Sequence, residues 1–344
     1  MPVRTVTIAD VAKHAGVAVS TVSYVLSGKR SISATTRQRV LDSVRFLGYH
    51  PNAGARALAS KRANVIALVL PLRAGMNLPV LMQFATSVVT TARLYDHDVL
   101  LMTADEGADG LRRVAASALV DGLLLMDVEI HDPRVPLLRE LGEPSVLIGF
   151  PADPEGLTCV DLDFGRAGAI CAEHLSERGH RKIALLGAPG VVYERGTGFA
   201  ERTLSGFADA ARRRGMEAVA RPCEESFDEV CGTVKVLLDE HPDLTGLVVH
   251  NEAAVGHVLG ALRILGRRVP EEVSVVAICP DDVAERTSPA LTSVLVPAEE
   301  VGSQAVRLLM AKLDGAAVPE STLLEPRLTI RQSTALFTLQ EDSQ

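Results

Sequence analysis

Three side chains near the N-terminus are spaced for contact with a nucleic acid. Ser20, Thr21 and Tyr24 lie within the stretch VSTVSYVLSG. Val22 and Leu26, four residues apart, form the buried stripe of a short helix, so the three polar side chains lie off that stripe. A short helix that presents small hydroxyl groups and one aromatic ring suits the major groove of DNA. The pattern therefore predicts a helix that contacts base edges.

A preceding helix and a tight turn must position that helix. Thr7 can cap the first helix, and Asp10, three residues later, can bond back to form a capping box. The apolar residues of this first helix repeat at helical spacing, at Ile8, Val11, Ala12 and Ala15. Gly16 supplies the turn, because a positive φ is cheap only for glycine. We therefore predict a helix-turn-helix, although the spacing alone fits an ordinary pair of helices in a small bundle equally well.

The distribution of charge favours the DNA-binding interpretation. Residues 1 to 62 contain ten Lys and Arg against only Asp10 and Asp42, a balance of +8. The whole chain carries −8, so the remaining residues carry −16. A basic head on an acidic body is typical of a protein that directs one end to nucleic acid and discourages adhesion elsewhere.

Two more helical segments follow the basic loop after Gly28. Ser33 can cap a third helix from Ala34 to Leu47, which Gly48 ends and Pro51 keeps from resuming. Its buried face is predicted from the spacing of Val40, Leu41, Val44 and Leu47. Residues 52 to 60, NAGARALAS, are a short alanine-rich helix candidate. So short a helix is not stable alone in water, so we expect it to be ordered only when something holds it.

The order of these motifs resembles the headpiece of the LacI/GalR family of bacterial transcriptional regulators. The matching residues run in order as T-I-A-D-V-A, A-G-V, T-V-S, V-L-S-G, T-R-Q-R-V, L-G-Y-x-P-N and A-R-A-L-A. The resemblance implies a headpiece over residues 1–50, a hinge helix and linker over 51–62, a two-lobed body over 63–335 and a tail over 336–344. It also implies a homodimer on a near-palindromic double-stranded operator, with a small-molecule effector such as a sugar in the body.

The resemblance assigns DNA-contacting roles residue by residue. The base-reading positions are Val19, Ser20 and Tyr24. The backbone contacts are Thr7, Thr21, Lys29, Ser31 and Asn52. The hinge residues for the minor groove are Ala55, Arg56 and Leu58, with Leu58 as the apolar wedge that kinks DNA between base steps. A linker residue that packs on the body is the alternative for Leu58.

Two departures from the family pattern fall in the reading helix. Many members have arginine where this chain has Tyr24, so the two-pronged contact of an arginine with guanine is not expected at that position. Ala18 replaces a common serine cap, so we expect Ser20 to cap a slightly later helix start.

From Asn64 onward, short apolar runs alternate with amphipathic stretches. The runs cover residues 65–70, 98–103, 122–126, 145–150, 182–187, 246–250 and 273–278. Continuous Val, Ile and Leu runs separated by helices predict buried parallel strands in doubly wound sheets. The family resemblance implies two α/β lobes of the periplasmic-binding-protein type, lobe 1 over about 63–163 and 297–322 and lobe 2 over about 164–296 and 323–335.

Ligands in such bodies lie at the carboxyl ends of strands, in the crevice between lobes. By the family pattern, Asn251 keeps the usual asparagine after its strand, and we predict that it contacts the effector. Three other positions lose their usual charge, since Gly149 and Cys279 replace aspartate and Thr203 replaces arginine. Arg202 and Asp281 lie nearby in sequence and are candidate substitutes. A plain sugar effector is therefore less well supported than in the family at large.

Other function classes find little support. Glu129, His131 and Asp132 follow a strand but lack a second set of metal ligands, and Asp96 to Asp98 fits a solvated turn. We find no P-loop and no nucleophile–base–acid set, so we expect no cofactor, no metal and no enzyme. A solute-binding transport component is the alternative function, but it would carry an export signal in place of a basic helix-turn-helix.

The bulk composition points to a cytoplasmic protein. At 344 residues, the chain has room for a small head and one or two larger domains. It has no run long enough to span a bilayer, no signal-peptide core and five cysteines without a C-x-x-C pair, so reduced thiols and no membrane contact are expected. The tail LFTLQEDSQ is too short for a leucine-heptad tetramerisation segment, which leaves a dimer as the expected assembly.

Overall fold

The structure, a computed structural model, describes residues 6–27, 30–49, 62–117 and 119–337. The chain divides into two units, Met1–Ala63 and Asn64–Gln344. The first unit contains α1 (Ile8–Ala15), α2 (Val19–Ser27) and α3 (Ala34–Leu47). The predicted hinge segment and the tail from residue 338 lie outside the described residues.

The predicted capping box begins α1. The Thr7 backbone N–H donates to the Asp10 carboxylate at 2.9 Å, and the Asp10 N–H donates back to the Thr7 hydroxyl at 3.4 Å. Gly16 ends the helix in the left-handed conformation, at φ 62°. The turn between α1 and α2 is therefore formed by the glycine that the sequence indicated.

The start of α2 differs from the prediction. The helix begins at Val19, and the Ala18 carbonyl accepts hydrogen bonds from the N–H groups of Thr21 and Val22, at 2.9 and 3.3 Å. Ser20 therefore lies inside the helix, and the expectation that it caps a later start is wrong. The backbone carbonyl of Ala18 begins the helix without a side-chain cap.

One small core holds the three helices of the head together. The buried residues of this core are Val11, Ala12, Ala15, Val22, Val25 and Val40. Val25 was not part of the predicted stripe, and Leu26 is only partly buried. On α3, Ser43 is buried as well as Val40, and its hydroxyl lies 3.0 Å from Nδ1 of His14, which satisfies both polar groups.

The second unit contains two six-stranded sheets. The strands of the first sheet are β1 (Val65–Val69), β2 (Asp98–Met102), β3 (Gly122–Leu125), β4 (Ser145–Ile148), β5 (Cys159–Leu162) and β11 (Ser321–Leu324). Their order across the sheet is β11-β5-β4-β3-β1-β2, and all neighbours are parallel. The helices between them are α4 (Leu78–Arg93), α5 (Gly107–Ala116) and α6 (Val135–Leu141).

The second sheet repeats this pattern. Its strands are β6 (Lys182–Leu186), β7 (Glu217–Arg221), β8 (Gly246–Val249), β9 (Ser274–Cys279), β10 (Thr292–Leu295) and β12 (Leu328–Thr329). The order is β12-β10-β9-β8-β6-β7, with β12 antiparallel to β10 and the other pairs parallel. Its helices are α7 (Phe164–Glu177), α8 (Gly190–Glu194), α9 (Gly198–Arg213), α10 (Phe227–Glu240), α11 (Val255–Ile264) and α12 (Asp281–Glu285). The last helix, α13 (Ala298–Leu313), follows β10 but packs on the first sheet, against α4 and strands β3, β4 and β5.

The predicted fold class, a helical head and an α/β body with mostly parallel sheets, is confirmed. Every predicted apolar run forms a strand, but β2 is not buried as expected. It is the edge of its sheet, and Leu100 and Leu101 are 38% and 43% exposed. The chain passes from the first sheet to the second after β5, returns after β10, and crosses again between β11 and β12. The expected limit of lobe 1, residue 322, falls inside β11.

Candidate functional site

The outer face of α2 carries the residues assigned to base reading. Val19 and Ser20 are exposed, while Thr21 and Tyr24 are half-buried. On the opposite side of the helix, Val22 packs in the core of the head. The structure thus places a methyl-bearing side chain, hydroxyl groups and an aromatic ring where a groove can receive them.

Arg30 adds a guanidinium group to this face. Its central carbon lies 5.7 Å from the ring centroid of Tyr24, within the range of a cation–π contact. This contact is not evident from the sequence, because Arg30 follows the helix and has no helical spacing to Tyr24. The face therefore presents an arginine beside Tyr24, although the position of Tyr24 itself does not supply one.

The residues assigned to the DNA backbone fall into two groups. Thr7 and Ser31 are exposed, and the Thr7 hydroxyl also donates to the Asp10 carboxylate at 2.8 Å. Lys29 and Asn52 lie outside the described residues, as do the hinge residues Ala55, Arg56 and Leu58.

A cavity of about 120 Å³ opens between the carboxyl ends of the two sheets. Met126, just after β3, and Gly149, just after β4, line it from the first sheet. Ala188 and the segment from His250 to Glu252 line it from the second sheet, after β6 and β8. This placement agrees with the general location of ligands in open α/β sheets.

Only some of the predicted effector residues meet at this cavity. Among the residues that the structure describes, Gly149 and Asn251 line the cavity, and Arg202, Thr203, Cys279 and Asp281 do not. The Asn251 side chain is buried, donates to the Cys223 carbonyl at 2.7 Å and accepts from the Ala253 N–H at 3.1 Å. Its amide therefore shapes the loop after β8 as well as facing the cavity.

Arg202 holds a carboxylate in the cavity wall. Its Nη2 donates to Asp161 Oδ2 at 2.7 Å, and the guanidinium lies 5.4 Å from the ring centroid of Phe150. Burial raises the pKa of Asp161, whereas the charge and hydrogen bond of Arg202 oppose that shift. Arg202 thus acts on the cavity through Asp161.

The other three candidates make contacts elsewhere. The Thr203 hydroxyl is buried and donates to the Phe199 carbonyl one helical turn earlier, at 2.9 Å. Cys279 is fully buried in an apolar core, and burial raises the pKa of its thiol. Asp281 accepts from Arg331 at 2.8 Å.

Several polar residues of the cavity were not predicted from the sequence. They are Asp127, Asp161, Arg195, His250 and Glu252. Burial lowers the pKa of His250 to about 4, so its imidazole is neutral at neutral pH, and burial raises the pKa of Glu252 to about 7. The position of Asp127 and His250 directly after buried strands was an available signal, because parallel strands end at one edge.

Arg73 pairs with three acidic residues, one of which, Asp127, lines the cavity. Its guanidinium contacts Asp105 at 2.8 Å, Asp127 at 3.0 Å and Glu129 at 2.7 Å. The Arg73 hydrogen bond and charge hold the pKa of Asp105 below its ordinary value. Asp127, whose side chain is only 3% exposed, is therefore compensated by a nearby cation.

Beside the cavity, backbone hydrogen bonds join the segment after β3 to the segment between α8 and the start of α9. The Ile130 N–H donates to the Gly196 carbonyl at 2.7 Å, and the Gly198 N–H donates to the Val128 carbonyl at 2.9 Å. Arg195 adds a third connection, from Nη1 to the Ala74 carbonyl at 3.0 Å. These bonds fix Arg195 at the cavity wall.

The acidic clusters that suggested metal ligands have other partners. Asp132 forms a buried pair with Arg134, at 2.6 Å, and Glu129 pairs with Arg73. His97 is buried rather than solvated, with Nδ1 2.7 Å from the Tyr95 carbonyl. Across the part of the chain that the structure describes, no group of three metal-ligating residues is found. In that same part, no helix is long and apolar enough to cross a bilayer.

Two family models match the chain. Residues 7–52 match the bacterial regulatory proteins of the lacI family, and residues 172–334 match a periplasmic binding protein-like domain. The chain is 32% identical to the HTH-type transcriptional regulator CelR of Thermobifida fusca, over 96% of this chain and 98% of the relative. It is 28% identical to catabolite control protein A of Priestia megaterium, over 96% of this chain and 99% of the relative.

Solved structures show the same fold. A CelR–cellobiose complex is 30% identical, covers 95% of this chain and 99% of its own, and has a TM-score of 0.69. A lac repressor dimer bound to operator and the anti-inducer ONPF is 24% identical, covers 96% of this chain and 100% of its own, and has a TM-score of 0.83.

Proposed function

Since this chain belongs to the LacI family of bacterial regulatory proteins, we propose that it is a sequence-specific transcriptional repressor controlled by a small molecule. The observation that carries the proposal is the face of α2. Val19 and Ser20 are exposed, and Tyr24 is half-buried beside Arg30, on a helix that α1 and α3 hold in place. Helix-turn-helix proteins place such a helix in the major groove.

The head has a charge that suits this role. Residues 1 to 62 carry a balance of +8, and Arg37 and Arg39 of α3 are exposed. Basic side chains of this kind neutralise phosphates and supply affinity that depends on salt, while the α2 face supplies the sequence preference.

A hinge helix over residues 52–60 remains part of the proposal. Leu58 would enter the minor groove at the centre of the operator, and Ala55 and Arg56 would contact the groove beside it. Because a helix of this length is marginal alone, its order would depend on DNA and on the body.

A homodimer is the assembly that the surface supports. Large apolar side chains are exposed on and around α4 and β2, at Leu78, Val89, Leu94, Tyr95, Leu100 and Leu101. Exposed apolar groups concentrated in one region mark protein interfaces. Two heads in a dimer would contact the two halves of a near-palindromic site, as the relative seen on its operator is a dimer.

The cavity is the proposed effector site. A ligand that binds one arrangement of the two sheets more tightly than another would change DNA affinity, and DNA would change ligand affinity by the same factor. CelR in complex with cellobiose shows that a relative accepts a small molecule. The transport alternative gains no support from these relatives, which are regulators, and we place the protein in the cytoplasm with no enzymatic role.

The proposal is tested by operator binding of paired head variants of the full chain. Tyr24→Ala should weaken binding to the selected operator by about 10-fold or more, and binding to a scrambled duplex much less. Phe46→Ala is the matched control, because Phe46 is an aromatic residue of α3 that is 76% exposed outside the α2 face. Fluorescence anisotropy at fixed salt gives both affinities, and equal losses on both duplexes would contradict base reading by α2.

A further inference from the structure

Arg195 reaches the cavity with one edge of its guanidinium unpaired. Nη1 donates to the Ala74 carbonyl, but Nε and Nη2 are both buried without an acceptor among the described residues. Burying unpaired donors is unfavourable, so such an edge is destabilising unless a ligand completes it. Nε and Nη2 form the side of the guanidinium whose two N–H groups run parallel.

The preferred partner of that edge is visible elsewhere in the same chain. Arg73 uses its own Nε and Nη2 to grip the two carboxylate oxygens of Asp105, each at 2.8 Å. Two parallel charge-assisted hydrogen bonds to one carboxylate are stronger and more directional than bonds to neutral acceptors. The Arg195 edge is thus suited to a carboxylate that comes from a ligand.

The acidic residues of the cavity leave Arg195 available to an anion. Asp127 is paired with Arg73 and Asp161 with Arg202. Glu252 has a pKa raised to about 7 by burial, so a large fraction of it is uncharged near neutral pH. Among the described residues of the cavity wall, Arg195 is the only Lys or Arg.

The size and wall of the cavity describe the rest of the ligand. Its volume of about 120 Å³ is somewhat below that of an apolar cavity of about 150 Å³ that holds benzene. Much of the wall is apolar, including Val80, Phe84, Val128, Phe164, Val192 and Phe199. An apolar body of about the size of benzene is therefore comparable with this space.

Gly149, which lines the cavity from the first sheet, lies where no side chain fits. It has φ 129°, and a Cβ built there would lie 2.8 Å from Cβ of Val128, so a side chain is not accommodated. No polar side chain can therefore project from this position towards ligand hydroxyl groups. Polar contacts to a ligand therefore come from other residues of the wall, among which Arg195 supplies the positive charge.

We propose that the effector is a small carboxylate with an apolar body, bound through the Nε–Nη2 edge of Arg195. This assignment rests on the proposed function, because it concerns the ligand of the effector cavity. The apolar body lies against the phenylalanine and valine side chains. Because Nε and Nη2 have almost no accessible surface, the Arg195 side chain turns towards the cavity when the carboxylate completes this edge of the guanidinium.

Isothermal titration calorimetry of the full chain tests the assignment. The probes are isovalerate, pivalate and benzoate, with isovaleramide and benzamide as neutral matches and glucose and cellobiose as hydroxyl-rich compounds. We expect at least one carboxylate to bind, and its amide to bind about 10- to 100-fold more weakly. Arg195→Gln should weaken carboxylate binding by a similar factor, and Arg195→Lys should lose most of it, because an ammonium lacks the two-pronged edge.

Arg212→Gln serves as the control variant, since Arg212 is an exposed arginine of α9. Thermal unfolding and operator binding of each variant report whether fold and DNA recognition persist. If none of the carboxylates binds, or if Arg195→Gln and Arg195→Lys leave carboxylate binding unchanged, the carboxylate assignment is overturned. In those cases, specific operator binding by the unmodified chain still supports the proposed function as a transcriptional regulator. Loss of specific DNA binding by the unmodified chain would instead overturn the proposed function.

Discussion

Replacing Arg202 with methionine should destabilise the second unit through Asp161. The Asp161 side chain is only 7% exposed, and its carboxylate pairs with Arg202 at 2.7 Å. Removing one partner of a buried ion pair costs about 3–5 kcal/mol, because the other charge remains buried without compensation. Arg202 is 23% exposed, which places the expected loss near the lower end, at about 3 kcal/mol.

Thermal and urea unfolding of the full chain measure this loss. A change of about 3 kcal/mol should lower the Tm of the second unit by roughly 5 °C. Arg166→Met is the control, since Arg166 makes a more exposed pair with Glu173 at 2.7 Å and its loss should cost less than about 1 kcal/mol. Adding Asp161→Asn to Arg202→Met should recover much of the stability, because the uncompensated charge is then absent.

The pH dependence gives an independent check on Arg202→Met. Burial already raises the pKa of Asp161, and removal of Arg202 should raise it further. The variant should therefore regain stability as the pH falls and Asp161 becomes protonated. If Arg202→Met unfolds like Arg166→Met at every pH, the structural role assigned to the Asp161–Arg202 pair is refuted.

Three further outcomes are expected. Leu58→Ala should weaken operator binding by about 10-fold or more while non-specific DNA binding changes little, as measured by anisotropy; equal losses would remove the wedge role. Arg30→Ala should reduce the preference for one base pair in a DNA selection by about 10-fold, and a uniform loss across sequences would make Arg30 a phosphate contact. Glu252 has an ordinary pKa of 4.5 and a raised pKa of about 7 in the folded chain, so between these pH values the folded chain holds a proton that the unfolded chain releases, and the free energy of unfolding falls as the pH rises. Glu252→Gln should flatten this fall, as measured by urea unfolding midpoints across the pH range. An unchanged slope would contradict the raised pKa.

Strands buried on both faces were predictable from the sequence, because such strands need continuous apolar runs. The run at 182–187, for example, forms β6. β5 was missed because Asp161 interrupts its apolar run, and Arg202, 41 residues later, compensates that charge. β7 was missed because it is a half-exposed edge strand, Glu217–Arg221, with no apolar run.

Local spacing also predicted the head better than the cavity. The Thr7–Asp10 capping box and the Gly16 turn depend on residues a few positions apart, and both are present. The cavity depends on contacts between distant segments. Arg195 is fixed by the carbonyl of Ala74, 121 residues earlier, so no local pattern marks it as a wall residue.

Selection of DNA from a random pool by the full chain tests the central claim most directly. We expect an enriched near-palindromic site with two half-sites, one for each head of a dimer, and a footprint that Tyr24→Ala weakens. Half-sites one helical turn apart, or a multiple of it, would fit two helices in successive major grooves. A pool with no enriched sequence, or with one asymmetric half-site bound by a single head, would contradict it.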